Sequence, residues 1–344
     1  MRGGKLENSD GGRGYRTSGI KELLYIFIPF LFSFFLTPFL RLFALNFKVI
    51  DDPSSPLKIH SEPIPLLGGM VILSSFTLSL IIFKFHPSSF YLTLLAISLL
   101  GTLDDILDIE ALYRLPLQFI ISLPILFSGW NFPFLPHNLL NYAFALIFLV
   151  GVINTINCWD VSDGAGGATA IAIFLSLALY SHLIGEDAFL PLLLSGAVLG
   201  WLPYNIHPAK MFLGDGGSYL LGLAVAGVAL KLSSHLQPAL GFAVLFPFFF
   251  PCLDFLLVHY RRWREGTKGI RAILKSKGKD HLPHRLLAKG YSPNLTALIL
   301  FSLVFLSTLF SLPVFISSYF LPLSLLLFLI LFIIVDISLP LKQN

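Results

Sequence analysis

The stretch LTLLAISLLGTLDDILD at residues 92–108 indicates the fold class of the whole chain. Residues 92–103 are apolar or small, and two adjacent carboxylates, Asp104 and Asp105, follow them directly. Such an apolar run is typical of a helix in a bilayer. Carboxylates at its end cost free energy unless they are hydrated or neutralised, and ionisable residues in such places usually have a function. The stretch therefore predicts a membrane helix that ends at acidic residues.

Similar apolar runs recur along the chain between short polar connections. Of the 344 residues, 56% are hydrophobic and only 12% are charged, and the mean hydropathy of +0.81 is too high for a soluble globular protein. We predict an all-α polytopic integral membrane protein with about eleven transmembrane helices. The predicted segments lie near residues 22–46, 66–83, 88–103, 115–130, 139–157, 166–184, 188–204, 218–236, 238–260, 295–313 and 317–338.

The domain organisation predicted from composition is simple. Residues 1–21 are rich in Gly, Ser and charge, which predicts a flexible tail, and residues 22–338 form a single transmembrane domain. This domain contains a basic cytoplasmic loop at 261–294, and residues 339–344 form a short tail.

The distribution of basic residues predicts the orientation. When alternate connections are assigned to opposite sides, most of the 23 Lys and Arg residues fall on one side, which the positive-inside rule makes cytoplasmic. The unusual polar motifs fall on that same side. We therefore expect a multi-pass protein of the cell (inner or plasma) membrane with an active site that faces the cytoplasm.

Two acidic motifs indicate divalent-cation and phosphate chemistry. The adjacent carboxylates Asp104 and Asp105 suit a hard cation such as Mg²⁺, although a solvated helix cap is the alternative. The stretch NTINCWDVSDGAGG at 154–167 adds amides and carboxylates that suit a metal, a ribose or a base, followed by glycines that let the backbone approach a phosphate. A structural turn is its alternative. The polar side chains of this stretch are Asn154, Asn157, Asp160 and Asp163.

Three further motifs supply either a candidate metal-ligating carboxylate or cationic side chains. In MFLGDGGSYLLG at 211–222, Asp215 is either a metal ligand or an ordinary helix cap. Two segments supply donors that complement an anion, although lipid headgroups also explain basic loops. These are HLPHRL at 281–286, with His281, His284 and Arg285, and KIHSEPIPLLGG at 58–69, with Lys58 and His60.

The five motifs, in this order and spacing, resemble the polyprenyl-phosphate N-acetylhexosamine-1-phosphate transferase family, of the glycosyltransferase family 4 type. The resemblance covers roughly residues 22–338 and rests on KxHxxPxPxxGG, LDDxxD, NxxNxxDxxDG, FxGDxGS and HLxHRLLxxG. It implies transfer of a sugar 1-phosphate from a UDP-sugar to undecaprenyl or another polyprenyl phosphate, with release of UMP. It also implies Mg²⁺, with Mn²⁺ as a substitute, and the first membrane step of cell-envelope glycan synthesis.

The resemblance also implies roles for individual residues. Asp104 is the expected base with Asp105 beside it, and Asp215 and Asn157 lie at the metal. The expected substrate-binding residues are Lys58, His60, Asn154, Asp160, Asp163, His281, His284 and Arg285. The expected partners are a UDP-N-acetylhexosamine, the polyprenyl phosphate, the bilayer and a second copy in a homodimer, with no nucleic acid.

The HLxHRLLAKG ending resembles the N-acetylglucosamine branch of the family. The alternative is a phospho-N-acetylmuramoyl-pentapeptide transferase, a branch that usually has Lys where this chain has Asp108. Pro283 replaces the usual middle His of this motif, a departure that bears on which sugar donor is used more than on the type of reaction.

Two other classes of protein are alternatives. A prenyltransferase would need a second aspartate-rich motif of matching form. A lipid or sugar transporter would carry its charges near helix midpoints rather than at helix ends.

Overall fold

The structure, a computed structural model, describes residues 19–53, 62–85, 88–136, 139–267, 269 and 278–339. Almost all regular structure in these ranges is helical, as predicted. The helices are α1 (Gly19–Asn46), α2 (Gly68–Ile82), α3 (Ser89–Leu107), α4 (Ala111–Leu126), α5 (Leu139–Trp159), α6 (Ala165–Ile184), α7 (Phe189–Trp201), α8 (Gly214–Ser233), α9 (Pro238–Ala243), α10 (Phe246–Arg264), α11 (Leu282–Ala288), α12 (Pro293–Ile316) and α13 (Leu321–Ser338).

Seven helices in the described ranges are long and apolar enough to cross a bilayer. Three more apolar helices, α2, α4 and α7, have only 10–17 residues, counting the short 3₁₀ turn Leu202–Tyr204 with α7. The chain is therefore a multi-pass membrane protein, and the number of eleven crossings stays a prediction. The seven long spans are Gly19–Asn46, Ser89–Leu107, Leu139–Trp159, Ala165–Ile184, Gly214–Ser233, Pro293–Ile316 and Ser318–Ser338.

One predicted segment, 238–260, is divided in the structure into the short α9 and the longer α10. Each of the two helices begins with a proline in its first turn, where the missing N–H costs no hydrogen bond. Three arginines occupy the last turn of α10, so this helix extends beyond the apolar run. Proline placement explains why one apolar segment became two helices.

Helix α8 lies at the centre of the bundle, since 94% of its 18-residue apolar window is buried. It packs against α2, α3, α5, α6 and α7. Small residues allow this close approach, because a Cβ on Gly101 of α3 would collide with the backbone of Asp215 and Gly216. The carboxyl end of α3 is therefore held against the first turn of α8.

A short antiparallel hairpin lies beside the start of α8. Strand β1 (Ile50–Asp51) pairs with β2 (Ile64–Pro65). The N–H of Phe212 donates to the Pro65 carbonyl at 2.8 Å, and the N–H of Gly68 donates to the Phe212 carbonyl at 3.0 Å. These bonds fix the segment before α8 against the segment before α2.

Candidate active site

Asp105 joins the end of α3 to the start of α8. Its carboxylate accepts hydrogen bonds from the N–H groups of Asp215, at 2.9 Å, and Gly216, at 3.2 Å. The first N–H groups of a helix have no partner within the helix, and a carboxylate there satisfies them and complements the helix dipole. Gly214 has φ +71° and lies so close to Asp105 that a Cβ would not fit. The GDGG sequence therefore lets a carboxylate approach the start of α8.

Asp215 extends from this first turn toward the end of α5. The Nδ2 group of Asn157 donates to Asp215 Oδ1 at 2.5 Å and to Ser218 Oγ at 2.9 Å. The carboxylates of Asp104 and Asp105 lie within Coulombic reach of Asp215, and so does that of Asp160. Helix α8 begins at Gly214, four residues before the predicted segment, so Asp215 belongs to the helix rather than preceding it.

Asp104 is buried, with 4% of its surface exposed, and both of its oxygens accept hydrogen bonds. Oδ1 accepts from the N–H of Ile109 at 2.8 Å, and Oδ2 accepts from Arg114 Nη1 at 3.0 Å and from the Tyr219 hydroxyl at 2.6 Å. Asp104 thus connects α3 to α4 and α8. Its predicted role as the base stays a prediction, and Arg114 balances its charge in this structure.

Asp160 and Asp163 fix the loop between α5 and α6. The N–H of Gly166 donates to Asp160 Oδ1 at 3.2 Å. Burial, together with the nearby charges of Asp215 and Asp163, raises the pKa of Asp160 to about 7. Asp163 Oδ2 lies 2.7 Å from His207 Nδ1 and accepts the N–H of Ala209 at 3.1 Å. We call Asp104, Asp105, Asp160, Asp163 and Asp215 the acidic cluster.

Asn154 lies one turn before Asn157 on α5. Its Nδ2 group donates to Gln118 Oε1 of α4 at 2.7 Å and to the Val150 carbonyl at 2.8 Å. In this structure the side chain therefore joins two helices. Its predicted role in substrate binding stays a prediction.

His281 precedes α11 and lies in a second group of charges. Its Nδ1 atom is 3.0 Å from Asp254 Oδ2, and both side chains are about 5% exposed. Burial by itself would lower the pKa of His281, but hydrogen bonds to Asp254 and Cys158 outweigh burial and raise the pKa to about 9. Burial and the charge of His281 lower the pKa of His284 to about 4. At neutral pH the motif therefore contains one charged and one neutral imidazole.

Arg285 is the most deeply buried arginine side chain of this region, with 2% of the residue exposed. Nη1 donates to Asp336 Oδ1 at 2.5 Å, and Nη2 donates to the Leu339 carbonyl at 3.1 Å. Arg261 also pairs with Asp336, and Arg262 pairs with Asp280. We call the pairs Asp254–His281, Asp280–Arg262 and Asp336–Arg261/Arg285 the paired cluster. The predicted contact of Arg285 with sugar phosphates stays a prediction.

The structure brings four of the five motifs together. The acidic cluster unites the motifs around Asp104, Asp160 and Asp215, and the Nε1 group of Trp159 joins them to the paired cluster by donating to Asp254 Oδ2 at 2.9 Å. Lys58 and His60 of the fifth motif lie outside the described residues.

Sequence reasoning missed several residues that hold the site together. Asp254 is a lone carboxylate within the apolar stretch FPFFFPCLDFLLVHY, and a lone ionisable residue in a membrane segment is itself a functional signal. Arg114 is likewise a single charged residue directly before an apolar segment, 115–130. Nothing comparable marks Tyr219 or Gln118, whose partners are distant in sequence.

The acidic cluster contains candidate ligands for a magnesium ion. Among the described residues, no group of three or more His, Cys, Asp and Glu side chains has the arrangement of a complete metal site. Mg²⁺ usually takes one or two protein carboxylates together with substrate phosphates and water. Asp215 and the carbonyl oxygen of Asn157 are ligands of this kind. The donor set therefore fits Mg²⁺ shared with a phosphate.

Comparison with known proteins identifies the class as a membrane-embedded transferase. The model of glycosyl transferase family 4 matches residues 87–233. The undecaprenyl-phosphate alpha-N-acetylglucosaminyl 1-phosphate transferase of Thermotoga maritima is 32% identical over 79% of this chain and 85% of its own. The probable undecaprenyl-phosphate N-acetylglucosaminyl 1-phosphate transferase of Bacillus subtilis is 25% identical over 83% of each chain.

A relative from another branch is the phospho-N-acetylmuramoyl-pentapeptide-transferase of Wolbachia sp. subsp. Brugia malayi, 28% identical over 78% of this chain and 91% of its own. The chain belongs to glycosyl transferase family 4, and its relatives in that family are sugar-phosphate transferases. The family and branch predicted from the motifs are confirmed.

Proposed function

We propose that the protein transfers N-acetylglucosamine 1-phosphate from UDP-N-acetylglucosamine to undecaprenyl phosphate and releases UMP. The observation that carries the proposal is the meeting of Asp105, Asp215 and Asn157 at the first turn of α8. Carboxylates concentrated there match a divalent cation shared with a diphosphate. The relatives from Thermotoga maritima and Bacillus subtilis, which are named for N-acetylglucosamine and undecaprenyl phosphate, support the choice of sugar and lipid.

The proposed reaction joins two anionic substrates. An oxygen of the lipid phosphate attacks the β-phosphorus of the UDP-sugar, the bond from that phosphorus to the bridging oxygen breaks, and UMP leaves with that oxygen. Asp215 and Asn157 would hold Mg²⁺, or Mn²⁺ as a substitute, and the ion would supply positive charge that neutralises the phosphates. Asp104 and Asp105 are the proposed carboxylates beside the attacking lipid phosphate, where one accepts its proton.

The remaining predicted residues have proposed places around the donor. Asp160 and Asp163 bind the nucleotide, beside the start of α6, and His281 and His284 face the sugar diphosphate. Asn154 and Arg285 are also proposed to bind the donor, from positions on α5 and α11 that their hydrogen bonds to Gln118 and Asp336 hold in place. Lys58 and His60 complete the proposed set as hydrogen-bond donors to an anionic substrate.

The proposed setting is a bacterial cell membrane, with the acidic cluster facing the cytoplasm, where nucleotide sugars are made. Residues 22–338 are proposed to form one transmembrane domain that works as a homodimer. Most Lys and Arg residues fall on the side assigned to the cytoplasm, which supports the orientation.

The test is an assay of the purified protein with undecaprenyl phosphate, Mg²⁺ and a panel of UDP-sugars, including UDP-N-acetylmuramoyl-pentapeptide. We expect UMP and a lipid-linked sugar diphosphate from UDP-N-acetylglucosamine, and neither product after chelation of the metal. Product from the pentapeptide donor alone would assign the chain to the branch of the Wolbachia relative. Absence of UMP with every donor would overturn the proposed function.

A further inference from the structure

Asp254 is a buried carboxylate in the middle of α10, with 4% of its surface exposed. Three donors surround it. Oδ2 accepts from Trp159 Nε1 at 2.9 Å and lies 3.0 Å from His281 Nδ1, and Oδ1 accepts the N–H of Leu282 at 3.0 Å. A buried carboxylate with this set of donors is held in one position.

The three donors come from two motif-bearing segments. Trp159 ends α5, two residues after Asn157, and His281 directly precedes α11, which begins at Leu282. Besides the contact of the Cys158 thiol with His281, Asp254 joins the two segments through its own side chain. Its position therefore sets the distance from the HLPHR segment to the acidic cluster.

The ring of His281 is enclosed, with 4% of the residue exposed. Asp254 occupies the Nδ1 side, and the Cys158 thiol of α5 lies within hydrogen-bond reach of the ring. The His259 ring of α10 has its centroid 6.0 Å away. The titratable and charged groups that face His281 or interact with it are Asp254 and His259 on α10, Cys158 on α5, Asp280 in the preceding segment and His284 on α11.

We propose that Asp254 is a positioning residue of the transferase, which fixes the ring of His281 and keeps its positive charge directed toward the end of α5. The proposal rests on the proposed function. Asp254 binds the Nδ1 side of the ring, and the ring also lies within hydrogen-bond reach of Cys158, which follows Asn157 in the last turn of α5. In a low-dielectric interior an oriented charge acts strongly on a nearby diphosphate without contacting it.

This role predicts a specific pH dependence. The pKa of His281 is raised to about 9 because the hydrogen bonds to Asp254 and Cys158 outweigh burial. Transferase activity at saturating Mg²⁺ should therefore fall as the pH rises through about 9. Without the Asp254 charge, the same fall should occur at least one pH unit lower.

The test compares kcat/KM for UDP-N-acetylglucosamine from pH 6 to 10 in wild type, Asp254→Asn, Asp254→Glu and His281→Asn. In Asp254→Asn we expect the alkaline limb to move down by one unit or more, while Asp254→Glu keeps the limb and loses activity at all pH values. In His281→Asn the limb should disappear, since an Asn amide still donates to Asp254 but does not titrate. His182→Asn, at the far end of α6, is the matched control and should change nothing.

A double variant separates positioning from a merely structural role. In the His281→Asn background, Asp254→Asn should cause no further change in the pH profile. If Asp254→Asn has the wild-type profile, or if the limb survives in His281→Asn, the inference is wrong. The result for His281→Asn decides the question even if Asp254→Asn fails to fold. Either result would leave the proposed function in place, provided that the wild-type protein still releases UMP.

Discussion

The acidic cluster and the paired cluster both contain buried or half-buried carboxylates, but their charge is balanced differently. In the acidic cluster, Asp104 pairs with Arg114 and Asp163 lies against His207. The other three members, Asp105, Asp160 and Asp215, accept hydrogen bonds from backbone N–H groups and an amide, with no ion pair to a cation among the described residues. In the paired cluster every carboxylate has a cationic partner of its own.

This difference separates a binding site from its support. Excess negative charge near a membrane is costly unless an external cation neutralises it. A bound metal ion would balance the charge of the acidic cluster, whereas cations already balance every carboxylate of the paired cluster, which holds helices together. The following predictions test this division.

Asp215→Asn should have the largest effect on activity. The amide keeps the size of the side chain and removes the charge, so turnover should fall by about 1,000-fold, a loss expected when transition-state charge is no longer stabilised. The measurement is UMP release at saturating substrates, together with the thermal midpoint of the detergent-solubilised protein, which should stay close to wild type. Asp187→Asn, the same change in the loop between α6 and α7, is the control. Turnover within tenfold of wild type would show that Asp215 does not hold the metal.

Arg285→Ala should have the largest effect on stability. It leaves Asp336 with only the more exposed Arg261, and breaking a buried pair from one side costs about 3–5 kcal/mol. We expect a lower thermal midpoint and easier unfolding in denaturant. Arg264→Ala, at an exposed position of α10, should leave both unchanged.

A double variant shows whether the loss of stability in Arg285→Ala comes from leaving the Asp336 carboxylate without its buried partner. Arg285→Met combined with Asp336→Leu removes both charges of the buried pair and leaves the more exposed Arg261 without this carboxylate, so it should recover most of the lost stability. A double variant as unstable as Arg285→Ala would contradict the assignment of this pair to support.

Tyr219→Phe should have a smaller effect, through Asp104. A hydrogen bond to a charged group contributes about 1.5–3 kcal/mol, so unfolding should become easier by that amount. Tyr180→Phe is the matched control, since that hydroxyl lies 2.7 Å from the neutral Ser311 side chain and should contribute roughly 0.5–1.5 kcal/mol. Equal losses in the two variants would show that the hydrogen bond from Tyr219 to Asp104 contributes no more than a bond between neutral groups.

The apolar runs were sufficient to predict a mostly helical membrane protein, because apolar length largely determines which segments a bilayer accepts. The break between α9 and α10 was not placed within segment 238–260, because a proline such as Pro247 inside an apolar run can either kink a helix or begin a new one. The start of α8 was misplaced by four residues, because polar residues such as Asp215 are not expected inside a membrane helix.

The motifs also predicted which residues meet, but not how they are partnered. Asp105, Asn157 and Asp215 meet at one helix start, which follows from motifs at helix ends on one side. That Asp254 bonds to His281, or Asp336 to Arg285, depends on the packing of α10, α11 and α13. Packing between segments far apart in sequence leaves no local pattern in a single chain.

The bond from Arg285 to Asp336 has a consequence for how the protein is made. Helix α11 is synthesised before α13, yet its buried arginine has its carboxylate partner only when α13 has entered the membrane. During translation the acidic cluster is complete in sequence well before the HLPHR segment can be fixed beside it. We expect the site to acquire its final shape only at the last step of membrane insertion, so that chains interrupted before residue 336 remain inactive.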